Sequence, residues 1–277
     1  MSWLLAVFLG LVQGVAEFLP ISSSGHLALL QSLFGLKEAP VFFDVLLHFG
    51  TLLSLCVFYR RDIAEMVLEL ARGVRELASP RHRGTGRVPK ARRLVLLLVV
   101  ACLPLIPAVF FSGVVESLLQ KPALVGLFLC LTGAVLFVSD RLRAGARKDE
   151  TNATVGDALL VGVCQGIAIL PGLSRSGMTI SGGLLRRFDR AFAVRFSFLL
   201  SLPAVLGATL LQLFKELRQG LDTAHLPVYL LGMAVAAVSG YFAIGLVKRL
   251  VDNGKFGAFA YYCLAVGVVS IALSFFL

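Results

Sequence analysis

Apolar residues fill long blocks of this chain, and polar residues gather at the joints between them. The blocks 41–59, 94–113, 123–139, 192–214, 226–247 and 257–276 each read as a helix able to cross a hydrocarbon core of roughly 30 Å. Two further apolar stretches, 1–35 and 157–188, are interrupted, the first at Pro20 and Ser22–Gly25, the second at Pro171-Gly172. Each half is too short to span comfortably, so each stretch predicts a helical hairpin that enters the membrane and returns. Broken backbone at that depth is tolerated where it lines protein or a wet cavity. The pattern predicts an all-α integral membrane protein with six transmembrane helices and two re-entrant helical hairpins. Barrel strands would instead run about ten residues with alternating polarity.

The joints carry the charge. Arg60 to Arg93 holds ten Lys or Arg against four acids, with room for an amphipathic helix around Ile63–Leu77 and a Gly/Pro/Arg-rich tract over 79–90. The positive-inside rule places this joint in the cytoplasm. Alternation then puts Asp140–Asp157, Arg186–Arg190 and Lys248–Lys255 on the same side. The first residues hold no Lys or Arg, and Gln13 and Glu17 interrupt the apolar run, so the N-terminus is read as retained rather than as a cleaved signal.

Composition agrees. Of 277 residues 58% are hydrophobic, the mean hydropathy is +0.88 and the formal net charge is +10. Orientation by basic joints explains that charge without nucleic acid, and none is expected as a partner; membrane lipids are. The cysteines at 56, 102, 130, 164 and 263 sit inside apolar blocks without CxxC spacing, which predicts buried free thiols.

Sliding the sequence by 152 positions aligns the two interrupted stretches. Gln13, Gly14, Ala16, Ser22, Ser24 and Gly25 meet Gln165, Gly166, Ala168, Ser174, Ser176 and Gly177. One residue further, Phe43, Leu46, Leu47 and Leu53 meet Phe196, Leu199, Leu200 and Leu206. This predicts two repeats, 1–150 and 151–277. The charge pattern runs span 41–59 inward and span 192–214 outward, so the repeats are inverted. Inverted repeats gather broken segments and their polar groups near the midplane, an architecture also common in transporters.

The chemistry lies in those segments. Polar groups in hydrocarbon cost free energy unless they are paired or line a wet cavity. Gln13 and Glu17 are one helical turn apart and share a face. Glu17 suits a general base or a ligand for a divalent cation, Mg²⁺ or Ca²⁺. Ser22, Ser23, Ser24 and Gly25 offer hydroxyls and backbone N–H groups to an anion, beyond what one helix cap needs. His26 beside them suits a nucleophile or an acid/base. In the second stretch Arg175, with Gly172, Ser174, Ser176 and Thr179 around it, presents a permanent planar cation matched to phosphate oxygens. Asp44 and His48 are four apart on one span and read as a structural pair or as site lining. His82 and His225 fall in joints. No Walker loop, HExxH or dinucleotide fingerprint is present. An acid, hydroxyls, an imidazole and an anion clamp inside lipid point to phosphoryl chemistry on a lipid-borne phosphate.

At these residues the chain resembles the undecaprenyl-pyrophosphate phosphatases of the bacitracin-resistance type. The motifs are Gln13 to Glu17, the Phe-Leu-Pro-Ile-Ser-Ser-Ser-Gly-His run at 18–26, and Pro-Gly-x-Ser-Arg-Ser-Gly-x-Thr at 171–179, with Ser181-Gly182-Gly183 and 196–200 besides. The resemblance implies hydrolysis of a C55 polyprenyl pyrophosphate, a carrier recycled for peptidoglycan. It also implies a divalent cation, a bacterial cytoplasmic (inner) membrane location and a site facing the periplasm. By motif it carries over Glu17, Ser23, His26 and Arg175 as the core of the site. Gln13, Ser22, Ser24, Gly172, Ser174, Ser176 and Thr179 support it. The first motif position in that family is Glu or Gln; Gln13 is uncharged here, which weakens any scheme needing two carboxylates. Ser23 is the favoured nucleophile with His26 as proton donor, while exchanged roles and direct attack by water stay open. The alternative is a flippase for polyprenyl phosphate. Oligomeric state is open, with a homodimer among the options.

Overall fold

The computed structural model describes residues 1–33, 41–78, 88–108, 110, 113, 115, 118, 121–141, 147–219 and 225–275. The tract 79–87, including His82, lies outside the described residues, as does most of 109–120. The elements are α1 (Trp3–Phe18), α2 (Ser23–Leu33), α3 (Val41–Phe58), α4 (Arg60–Ala78), α5 (Lys90–Cys102), α6 (Leu105–Ala108), α7 (Pro122–Arg141), α8 (Val155–Ile167), α9 (Arg175–Leu185), α10 (Arg190–Gln219), α11 (Leu226–Asp252) and α12 (Ala258–Leu273). The described residues are thus helical throughout, apart from turns and one isolated bridge between Lys148 and Phe188.

Among the described residues four helices are long and apolar enough to cross a membrane: α3, α7, α10 and α11. Block 257–276 appears as the 16-residue α12. Block 94–113 differs from the expectation of one continuous helix. It stops at Cys102 and resumes as the single turn α6, because Pro104 supplies no N–H and its ring clashes with the preceding turn. Block 192–214 runs further than expected, to Gln219, with Pro203 inside. The amphipathic helix of the first joint is α4. Its acids Glu69 and Glu76 are tied to Arg92 of α5, the closest pair being Glu76 Oε2 at 2.6 Å. The buried-thiol expectation holds for Cys263; Cys56 is exposed.

Both interrupted stretches are broken where the sequence breaks them, and in each the second helix folds back on the first. Between α1 and α2, Ser22 takes a left-handed backbone with φ 69°. Its Oγ accepts from the Gly25 N–H at 3.3 Å, and its carbonyl from the His26 N–H at 3.1 Å. Between α8 and α9 the left-handed residue is Gly172, φ 95°. Thr132 of α7 clamps this turn, donating to the Gly172 carbonyl and accepting from the Ser174 N–H, both at 3.1 Å.

Apolar side chains gain little from leaving lipid for a helix interface, so close packing of small residues decides which helices meet. Gly10 of α1 lies against the carbonyl of Gly232 in α11, where any side chain would collide with backbone. Gly162 of α8 lies in the same way against the carbonyl of Ala101 in α5. Positions 10 and 162 are again 152 apart. The outer faces stay apolar: Leu210, Val238, Phe242 and Val268 are exposed, as lipid-facing residues must be.

Candidate functional site

The two broken segments meet. Ser176 Oγ donates to the Leu19 carbonyl at 3.1 Å, and Cys263 Sγ donates to the Pro20 carbonyl at 3.4 Å. Gly25 packs directly on Gly172, where a Cβ would sit 3.3 Å from the Gly172 Cα. This junction brings Arg175, the first residue of α9, onto Glu17, the last turn of α1. Arg175 Nη2 lies 2.6 Å from Glu17 Oε1, across 158 positions of sequence.

Glu17 is nearly buried, with 8% of its surface exposed, and both oxygens are engaged. Oε1 accepts from Arg175. Oε2 accepts from Ser23 Oγ at 2.6 Å and from Gln13 Nε2 at 3.1 Å. A buried carboxylate is tolerated on such terms, with its charge paired and both oxygens hydrogen-bonded.

A cavity of about 800 Å³ opens beside this cluster. One end is lined by Glu17, Ser22, Ser23, Ser24, Asp44, His48, Gln165, Ser174 and Arg175; the rest is mainly apolar, including Leu105, Ile169, Pro203, Val205 and Leu211. The small residues Ala204, Gly207 and Ala208 of α10 leave that apolar part open. The N-termini of α2 and α9 both begin at the polar end, where free N–H groups and the helix dipoles favour an anion. The combination suits a molecule with an anionic head and a long apolar tail.

Among the sequence-read residues, Glu17, Ser22, Ser23, Ser24, Ser174 and Arg175 line this cavity. Gln13 stands behind Glu17 and orients it. Gly172 sits at the turn beneath. Ser174 caps α9, accepting from the Gly177 N–H at 3.1 Å. Thr179 is a strut: its Oγ1 bonds the Arg175 carbonyl at 2.8 Å and Ser197 Oγ of α10 at 2.5 Å.

His26 is not brought into this cavity. Its Nδ1 donates to the Ser22 carbonyl at 2.8 Å, and its Nε2 meets the Tyr262 hydroxyl at 2.8 Å. The imidazole stacks on the Tyr262 ring and lines a separate, apolar groove of about 420 Å³. The imidazole that faces Glu17 is His48 of α3, with Nε2 3.9 Å from Glu17 Oε2. A carbonyl only accepts, so the bond between His48 Nδ1 and the Asp44 carbonyl at 2.9 Å puts the ring proton on Nδ1. The other ring nitrogen, Nε2, is the one presented to the site. Two ionisable residues within one span were the signal for this pair. Thr132 carried no signal, since a lone hydroxyl residue in an apolar span is ordinary; Ser197 was marked only as part of the run 196–200.

The family model described as bacitracin resistance protein BacA matches residues 6–269. The chain belongs to the BacA family. It is 40% identical over 271 residues to a protein of Carboxydothermus hydrogenoformans named undecaprenyl-diphosphatase, covering 97% of this chain and 96% of that protein. Proteins with the same name from Methanosphaera stadtmanae and Desulfosudis oleivorans are 39% and 41% identical, covering 97% and 96% of this chain. The BacA model takes in both broken segments, so the Glu17–Arg175 junction lies within the matched region.

Proposed function

We propose that this BacA-family chain hydrolyses undecaprenyl pyrophosphate to undecaprenyl phosphate and inorganic phosphate. One observation carries the reading: the Glu17–Arg175–Ser23 cluster closes the polar end of a cavity that is otherwise mainly apolar. The pyrophosphate enters that end and the isoprenoid tail leaves between helices. The relatives' names support hydrolysis rather than transport.

In this reading Arg175 moves its charge onto the terminal phosphate, and the N-termini of α2 and α9 hold the equatorial oxygens. Ser23 Oγ attacks the terminal phosphorus as its proton passes to Glu17 Oε2, already 2.6 Å away. The bond to the bridging oxygen breaks and undecaprenyl phosphate leaves. Water then cleaves the phosphoserine, releasing inorganic phosphate, and Glu17 returns the proton to Ser23 Oγ to restore the hydroxyl. His48 Nε2 is placed to take that water's proton.

The donor set fits a divalent cation shared with the substrate. Glu17 and Asp44 line the same cavity, and Mg²⁺ is commonly held by one or two carboxylates plus phosphate oxygens. Among the described residues no three His, Cys, Asp or Glu side chains converge, so the phosphates would complete the shell. When bound, the cation would neutralise phosphate charge.

The reading extends to six spans and two inverted repeats, 1–150 and 151–277. The matched approaches of Gly10 to α11 and Gly162 to α5 support it. Basic joints support insertion in a bacterial cytoplasmic membrane with the site facing the periplasm. There the product would return to peptidoglycan synthesis, and its turnover would confer bacitracin resistance. The test is phosphate release from undecaprenyl pyrophosphate by purified protein in detergent with Mg²⁺ or Ca²⁺. Steady release is expected; none with either ion sinks the reading.

A further inference from the structure

Gln165 occupies in the second broken segment the place that Gln13 occupies in the first. Gln13 has a carboxylate to hold: its Nε2 donates to Glu17 Oε2 at 3.1 Å. Four residues beyond Gln165 the matching position is Ile169, which offers no acceptor. Gln165 is 2% exposed, and neither its Oε1 nor its Nε2 has a hydrogen-bond partner among the described residues. Native structures rarely leave a buried amide unpaired, because the desolvation of both ends is then uncompensated. The side chain lines the same cavity as Glu17, Ser23, Ser174 and Arg175.

We propose that Gln165 is a substrate-binding residue whose Nε2 donates to a nonbridging oxygen of the pyrophosphate. This rests on the phosphatase reading for the identity of the substrate. Three features favour a phosphate oxygen over the apolar tail. An amide gains nothing from hydrocarbon. Arg175 and the N-terminus of α9 lie ten residues on and make this end of the cavity attractive to anions. Ile169, where the first segment has Glu17, removes a carboxylate that would repel phosphate. The second segment has exchanged an internal partner for one supplied by the ligand.

The decisive experiment compares Gln165→Leu and Gln165→Met with wild type. Both keep the volume and remove the donor. Replacing an unpaired buried amide with an apolar group leaves the unliganded protein as stable or more stable. The unliganded Tm is therefore expected to stay or rise. The KM for undecaprenyl pyrophosphate is expected to rise by about ten- to hundredfold, the usual worth of a hydrogen bond to a charged group, with kcat within about threefold. Inorganic pyrophosphate serves as a second probe that needs no turnover: it raises the Tm of wild type, and that of the variants much less. An unchanged KM with an equal pyrophosphate shift overturns the proposal. So does a fall in unliganded Tm, which marks a structural role. If wild type releases no phosphate yet pyrophosphate still distinguishes it from the variants, the phosphatase reading fails and Gln165 stands as an anion ligand.

Discussion

The two broken segments share a scaffold and divide the chemistry. Both run from a short helix through a proline-marked break into an 11-residue helix, and both pack a matched glycine, Gly10 or Gly162, against a neighbouring helix backbone. Where the first has Glu17 the second has Ile169; where the second has Arg175 the first has Ser23. Neither segment alone can hold a phosphate and activate a nucleophile. Their junction joins the cation and the carboxylate that those two tasks call for, because the Arg175 guanidinium lands on the Glu17 carboxylate. The matched glycines supply the approach, and the residues at two aligned positions supply opposite charges.

The largest effect should come from removing either charge. Arg175→Ala and Glu17→Gln are each expected to lower kcat/KM by at least about a hundred- to a thousandfold, the range found for preorganised charge-stabilising groups. Each also leaves its partner uncompensated in a nearly buried site, so each should lower Tm. The double variant Glu17→Gln/Arg175→Gln removes both charges and should recover part of that Tm while staying inactive. Phosphate release and thermal unfolding in detergent measure the cycle. Additive Tm losses would show that the pair is not coupled.

The two turns should respond differently to change. Gly172 is left-handed, and a Cβ there would press into the Val125 carbonyl oxygen of α7. Gly172→Ala is expected to destabilise by several kcal/mol, on the order of 3, and to abolish activity with the fold. Ser22 is left-handed too, but it is not a glycine. Ser22→Gly relieves strain of about 1 kcal/mol and loses one cap bond at a cost of a few tenths. Its Tm should therefore stay within a few degrees. Comparable losses at both positions would mean that the second turn is no more rigidly clamped than the first.

Much of this was legible in the residues. The breaks at Pro20 and Pro171 and the meeting of Glu17, Ser23 and Arg175 follow from polar groups kept at a cost in apolar surroundings. The break at Pro104 does not show in the hydropathy pattern, which does not register the loss of one N–H. The place of His26 was not legible. Its proximity in sequence to the serines suggested the site, but side-chain direction depends on tertiary partners, and Tyr262 lies 236 positions away. Gln165 was visible only as a match in the repeat. Its missing partner emerges when the cavity is built around it.

The smallest effects concern the two histidines, and they sharpen the division of labour most. Both tie Nδ1 to a main-chain carbonyl one turn back, His26 to Ser22 and His48 to Asp44. They differ at Nε2. That of His26 is taken by the Tyr262 hydroxyl, beside the apolar groove, while that of His48 faces Glu17 within the cavity. In this arrangement the Nε2 presented to the cavity is that of His48, not that of His26. His48→Gln is therefore expected to lower kcat by about tenfold or more, within the range for a general acid or base. Tyr262→Phe leaves His26 in place without its partner and should change kcat by less than about twofold; the deleted bond is worth roughly 1 kcal/mol and is felt in Tm instead. His26→Gln should resemble Tyr262→Phe rather than His48→Gln. If His26→Gln instead abolishes turnover while His48→Gln leaves it intact, the working imidazole belongs to the first segment. That segment would then hold nucleophile, base and acid together, leaving the second only the task of binding.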